Sequence, residues 1–139
     1  MDIALLIPLA APFASTEFVE LLGPKAEQCG FSALWVGEHV VVPDKWESLY
    51  PASGDGRIPD AVQQGELDPF STLAFLAAIT QNIRLGVCCN VAQRNPVYTA
   101  KEAANVDWLS EGRLEFGAGV GWAAEEFDAC GMPFDRRGS

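Results

Sequence analysis

Apolar residues arrive along this chain in short continuous runs, separated by segments with helical spacing. Ile3–Leu9 is the first run, and its lack of alternation predicts a strand buried on both faces. Ser15 or Thr16 then offers an N-cap, with Glu17 and Glu20 placed at the positive end of a helix dipole. Phe18, Val19, Leu22 and Ala26 carry the helical pattern to a stop at Gly30. Gly23-Pro24 falls inside it, where the missing N–H and the ring clash predict a kink or a split.

Ser32–Gly37 is a second buried run, followed by Glu38-His39 and an irregular stretch, residues 40–67, broken by prolines and glycines. A loop of that length in a compact domain is usually functional or disordered. Asp68-Pro69 has the form of an N-cap followed by proline at the first helical position, and opens a helix closed by Asn82. Ile83–Asn90 predicts a third strand. Asn95-Pro96 repeats the cap signature and opens a helix to about Leu109. Leu114–Gly119 predicts a fourth strand, and Gly121-Trp122 leads into a short helix closed by Gly131.

Strand and helix thus alternate in four units with crossovers long enough for parallel pairing, an α/β class. Two architectures fit: an open doubly wound sheet, or part of a (β/α)8 barrel. A whole barrel takes about 250 residues. These 139 residues supply about half of one, as a single domain.

Composition narrows the partners. With 9 Lys+Arg against 19 Asp+Glu the net charge is −10, so a phosphate backbone or an anionic membrane surface would be repelled. No apolar run reaches the roughly 18 residues that span a bilayer. The N-terminus carries Asp2, Pro8 and Pro12 where a signal peptide would be basic and then uninterrupted. Cys29, Cys88, Cys89 and Cys130 form no C-x-x-C pair, and one histidine gives no zinc spacing. We expect reduced, mostly buried thiols, no metal, and a cytoplasmic protein.

In either architecture ligands bind at the carboxyl ends of the parallel strands. Those ends collect Glu38 and His39 after the second strand, Cys88, Cys89 and Asn90 with Arg94 after the third, and Gly119, Val120, Gly121 and Trp122 after the fourth. His39 is the only histidine and can carry a proton near neutral pH, or simply bond a backbone carbonyl. Arg94 can pair with a carboxylate or phosphate. The run from Gly117 to Trp122 could accept an anion, let a flat ring approach closely, or simply pack tightly at a strand end; it is no dinucleotide fingerprint, because Trp122 stands where glycine is required. Trp122 and Trp46 could stack on an aromatic group or simply fill a core.

With those residues in place, the chain resembles the luciferase-like family of flavin- and deazaflavin-dependent oxidoreductases. The similarity runs over all 139 residues and rests on Phe31–Pro43, Ile83–Gly86, Gln93–Trp122 and Glu125–Gly138. The members most alike are probable deazaflavin (coenzyme F-420) oxidoreductases. The resemblance implies a (β/α)8 barrel with the cofactor, F-420 or FMN, at the carboxyl rim. It implies a cofactor contact at Glu38 and a proton donor at His39. It also implies a bulge with a non-prolyl cis peptide in Cys88-Cys89-Asn90, and further cofactor contacts at Gly119, Val120, Gly121 and Trp122. The sugar-phosphate branch has a catalytic glutamate where this chain has Trp122, so that acid/base pair does not carry over.

The expected activity is hydride transfer, or oxygenation, on a small organic substrate, with Trp46, Tyr50 and Arg57 of the long loop as substrate contacts. The alternative is a non-catalytic half-barrel that binds cofactor weakly or assembles with a partner, either a second copy or a missing C-terminal half. A flavodoxin-like open sheet is a third reading, which the glycine-free loop after the first strand disfavours.

Overall fold

The structure is a computed structural model that describes residues 1–138. Its main elements are β1 (Ala4–Ile7), α1 (Thr16–Gln28), β2 (Ala33–Val36), α2 (Pro69–Ile79), β3 (Arg84–Asn90), α3 (Pro96–Leu109), β4 (Leu114–Gly119) and α4 (Ala124–Ala129). Every strand pairing is parallel and the sheet order is β1-β2-β3-β4. A doubly wound sheet reverses its strand order at a switch point. This one runs straight through, as a barrel does, and the flavodoxin-like reading falls.

The register places Leu5, Leu34, Leu85 and Leu114 in one cross-strand row and Ile7, Val36, Val87 and Phe116 in another. These rows face the helices: Leu34, Leu85 and Val87 are fully buried in one core with Val19, Leu73, Leu76 and Val106. The other face is largely bare. Leu6 is 68% exposed, so β1 is not buried on both sides as its apolar run predicted. Trp35 covers part of this face by lying across Gly86, where a Cβ would come within 2.3 Å of its ring.

The predicted caps are present. Ser15 accepts from the Phe18 N–H at 3.2 Å, Asp68 from Ser71 at 2.7 Å, and Asn95 from Val97 at 3.0 Å. The predicted break at Gly23-Pro24 is absent, and α1 is one helix. Gly23 faces α2, where a Cβ would sit 2.7 Å from Leu76, so close packing of the two helices overrides the local cost of proline. Helix α2 ends at Thr80 rather than Asn82. Arg113 completes that end, donating to the Ala77 carbonyl at 3.0 Å and the Ile83 carbonyl at 2.9 Å. The long loop is ordered by a 3-10 turn at Val62–Gln64 and an antiparallel bridge between Ala10 and Glu66.

Candidate active site

A cleft of about 580 Å³ opens at the carboxyl ends of β1–β3, bordered by Glu38, His39, Cys88, Asn90, Tyr50 and Trp122 among others. The strand ends therefore do bring most of the unusual residues together. Glu38 and His39 leave the end of β2 with separate partners, as their adjacency predicts.

Glu38 is 7% exposed. One carboxylate oxygen accepts the Asn90 backbone N–H at 2.7 Å, and the other pairs with Arg94. The Asn90 side-chain amide donates back to the Glu38 carbonyl at 3.0 Å. Arg94 also pairs with Glu102 and donates to Thr99 at 3.2 Å. Glu38 is thus a staple between the ends of β2 and β3, with its carboxylate engaged by protein rather than free for a ligand.

His39 pairs through Nδ1 with Glu126 on α4, a carboxylate 1% exposed that also accepts from Gln93 at 2.8 Å. Burial disfavours a charged imidazole, but the hydrogen bond and charge of Glu126 outweigh it, so the His39 pKa is raised. A histidine with one nitrogen fixed by a buried carboxylate and its ring on a cleft can give or take a proton at the other nitrogen.

Trp122 stacks on Trp46 with ring centroids 5.4 Å apart, and Tyr50 tilts against it at 5.2 Å. Trp46 therefore supports the cleft wall from behind. Arg57 is apart from the cleft. It borders a separate polar cavity of about 750 Å³, held by its N–H to Asp55 at 3.0 Å.

Several expectations at the end of β3 need correction. Cys88 borders the cleft, but Cys89 is fully buried among the helices, because successive residues of a strand face opposite sides. Burial pushes its thiol up to about 12. Cys88, Cys89 and Asn90 stay in register with Gly117, Ala118 and Gly119, so there is no bulge. The only cis peptide among the described residues is Ala11-Pro12. Gly119, Val120 and Gly121 do not border the cleft; Gly121 has φ of 72° and backs against Gln93 and Phe127. All four cysteines are free, but Cys29 and Cys88 are exposed rather than buried. Among the described residues no helix is long and apolar enough to cross a membrane.

Nothing in the sequence singles out Glu126, and Gln93 is legible only as a rim position after the third strand. Their roles show in the pairing of His39 with Glu126 across 87 residues and in the bond from Gln93 to Glu126 across 33.

A profile of luciferase-like monooxygenases matches residues 9–139. The chain belongs to that family. An uncharacterized protein of Mycobacterium tuberculosis is 36% identical over 113 residues, 81% of this chain and 40% of that protein. The coenzyme F420-dependent tetrahydromethanopterin reductase of Methanopyrus kandleri superposes with a TM-score of 0.64 at 26% identity, covering 96% of this chain and 30% of that one. The oxygenating constituent of a Pseudomonas putida diketocamphane monooxygenase, solved with FMN, gives 0.67 at 19% identity over 94% and 33%. The chain spans between about a fifth and two-fifths of the length of the curated relatives it matches.

Proposed function

We propose that this luciferase-like chain contributes the proton-handling half of an oxidoreductase site that uses reduced FMN or a deazaflavin on a small organic substrate. The observation that carries the reading is His39, held by buried Glu126 on the wall of a cleft at the strand ends. Support for the cofactors comes from the F420 and FMN proteins that share the fold.

The lining of the cleft fits a flat ring. Trp122 gives it an aromatic border, and Cys88 and Asn90 lie on the open face of β3 in register with Gly117 and Gly119. No Lys or Arg is among the described residues that line the cleft, so these residues would hold a ring and not a phosphate tail. Cys88, Asn90 and Trp122 would border that ring; it would supply the two electrons of the reaction. Glu38 acts at one remove, by fixing Asn90 through its backbone N–H. Glu126 sets the tautomer and tilt of His39, leaving Nε2 as the atom that exchanges a proton. Tyr50 borders the cleft on the side of the long loop, and Trp46 backs Trp122 from behind.

His39→Ala should leave cofactor affinity, read by the visible absorption of bound FMN or deazaflavin, nearly unchanged. Turnover should fall by about 10²–10⁴. Wild-type turnover in that variant would remove His39 from the reaction. A second reading, a half-barrel that acts only once paired with another unit, is favoured by the bare face around Leu6 and by the outer strands β1 and β4, each paired on one side alone. Cofactor capture only in a species larger than one chain on size-exclusion chromatography would support it.

A further inference from the structure

Behind His39 the proton site continues into a buried row of side chains. Glu126 gives one oxygen to His39 Nδ1 and the other to Gln93, whose amide Nε2 donates at 2.8 Å. Both partners are out of solvent, Glu126 at 1% and Gln93 at 3% exposure. Gln93 stands in the 3-10 turn Val91–Gln93 that follows β3. Gly121 backs it. A Cβ there would come within 2.9 Å of the amide nitrogen, so the amide keeps its place against Glu126 because position 121 has no side chain.

The amide is used on one side only. Gln93 Oε1 is buried and has no hydrogen-bond partner among the described residues. A bare buried acceptor is costly, so something must hold the amide this way round. The charge on Glu126 does. Turned over, Oε1 would face Glu126 Oε2, acceptor against acceptor, unless that carboxyl carried a proton. Donation to a carboxylate is the stronger, charge-assisted bond. The orientation is thus the one that an ionised Glu126 selects, and it stabilises that ionised form in return.

We propose that Gln93 is a positioning residue of the proton site: its amide, given room by Gly121, keeps Glu126 a carboxylate, so that the proton of the pair rests on His39 and can leave from Nε2 into the cleft. The use of that proton in a reaction rests on the oxidoreductase reading above; its placement does not. Without the Gln93 donor, Glu126 would be a poorly satisfied buried anion whenever His39 is neutral. The pair would then keep its last proton to higher pH. Loss of Glu126 itself acts the other way, because the charge that holds the proton is gone. The signs separate a group that tunes the carboxylate from one that only packs beside it, since loosening the His39–Glu126 contact would move the titration down, as Glu126→Gln does. The other groups facing the pair are Glu66 from the long loop and Glu38 beside His39, with Cys130 near Glu126 at the end of α4, and every variant below retains them.

His39 is the one histidine of the chain, so its titration can be read without ambiguity. Imidazole nitrogen shifts are followed by NMR in the untagged, cofactor-free chain from about pH 5 to about pH 10. Gln93→Met keeps the bulk and removes the donor, and should move the midpoint to higher pH by about half a unit or more. Gly121→Ala, which pushes the amide off Glu126, should move it the same way. Glu126→Gln should move it lower. The proposal is overturned if the midpoint stays or falls in Gln93→Met, or in Gly121→Ala should that variant alone keep a cooperative urea transition. It is also overturned if neither variant keeps one, because the amide would then be a strut of the core. The measurement involves no turnover. It can fail while His39→Ala still abolishes activity, and succeed while His39→Ala leaves activity untouched.

Discussion

The two faces of the sheet are built from the same strands and obey different rules. On the helix side, Leu34, Leu85 and Val87 are fully buried, and each fits against side chains from α1, α2 or α3. On the cleft side, Leu6 is largely exposed, Trp35 lies over two glycines, and Arg84 pairs with Glu115 across the surface. Stability therefore resides on one face and ligand chemistry at the end of the other. Alternation along a strand keeps the two apart: Cys88 borders the cleft while Cys89 packs in the core.

Truncating one leucine on each face gives the largest contrast. Leu85→Ala should cost about 2–5 kcal/mol, as buried leucines do when a cavity replaces them. Leu6→Ala should stay within about 0.5 kcal/mol. Urea denaturation measures both, and equal losses would mean that the open face is covered in solution. Glycines extend the test at smaller scale. Gly23→Ala puts a Cβ 2.7 Å from Leu76 between two packed helices, and overpacking of about 1–3 kcal/mol should exceed the roughly 1 kcal/mol gained in helix propensity. Gly86→Ala brings a Cβ within 2.3 to 2.8 Å of the fused ring of Trp35, so the indole must leave its place over β3. It should shift Trp35 fluorescence to longer wavelength, and an unshifted spectrum would mean that the ring does not lie over Gly86.

The same asymmetry explains what could be read from sequence. Strand order, helix caps and the barrel-like succession follow from periodicity and from Asp68-Pro69 and Asn95-Pro96, because those signals are local. The position of His39 at a strand end was equally plain. Its partner was not, because Glu126 looks like any helical carboxylate until the fold brings it to His39. Apolar composition also overstated burial: Ile3–Leu9 carries no mark distinguishing a face covered by helices from one left open. Glu38 misled for a related reason. A strand-end carboxylate looks available until Arg94, 56 residues away, is seen to pair with it.

The site predicts a pH effect that the core does not. The His39 pKa is raised in the fold, so the pair with Glu126 stabilises the protein fully below the ordinary histidine value of about 6.5. That contribution is lost as pH rises through the folded value. Wild type and Glu126→Gln should therefore differ more in urea midpoint at about pH 5.5 than at about pH 8.5. Glu66 faces His39 in both proteins, so it weighs little in the difference. In turnover, the alkaline limb should move to lower pH in Glu126→Gln, because His39 loses the charge that holds its proton. An unmoved limb would detach Glu126 from the chemistry.

The smallest effect separates Glu126 from its neighbour. Glu125 sits one position earlier on α4 and turns outward, accepting the Glu47 N–H at 2.5 Å and the Ser48 N–H at 2.8 Å. Ser48 returns the contact by accepting the Ala124 N–H at 3.0 Å. Burial raises the Glu125 pKa, but the backbone donors of Glu125, Ser48 and Glu47 outweigh it and bring it to about 2. The strap that carries Trp46 to Trp122 should thus hold well into acid. Glu125→Gln keeps an acceptor and loses the charge, so it should cost about 0.5–1.5 kcal/mol at most and speed proteolysis within residues 44–50. It should leave the pH limb set by His39 in place. If Glu125→Gln moved that limb as Glu126→Gln does, strap and proton site would be one coupled unit, and the division between a structural carboxylate and a chemical one on the same helix turn would fail.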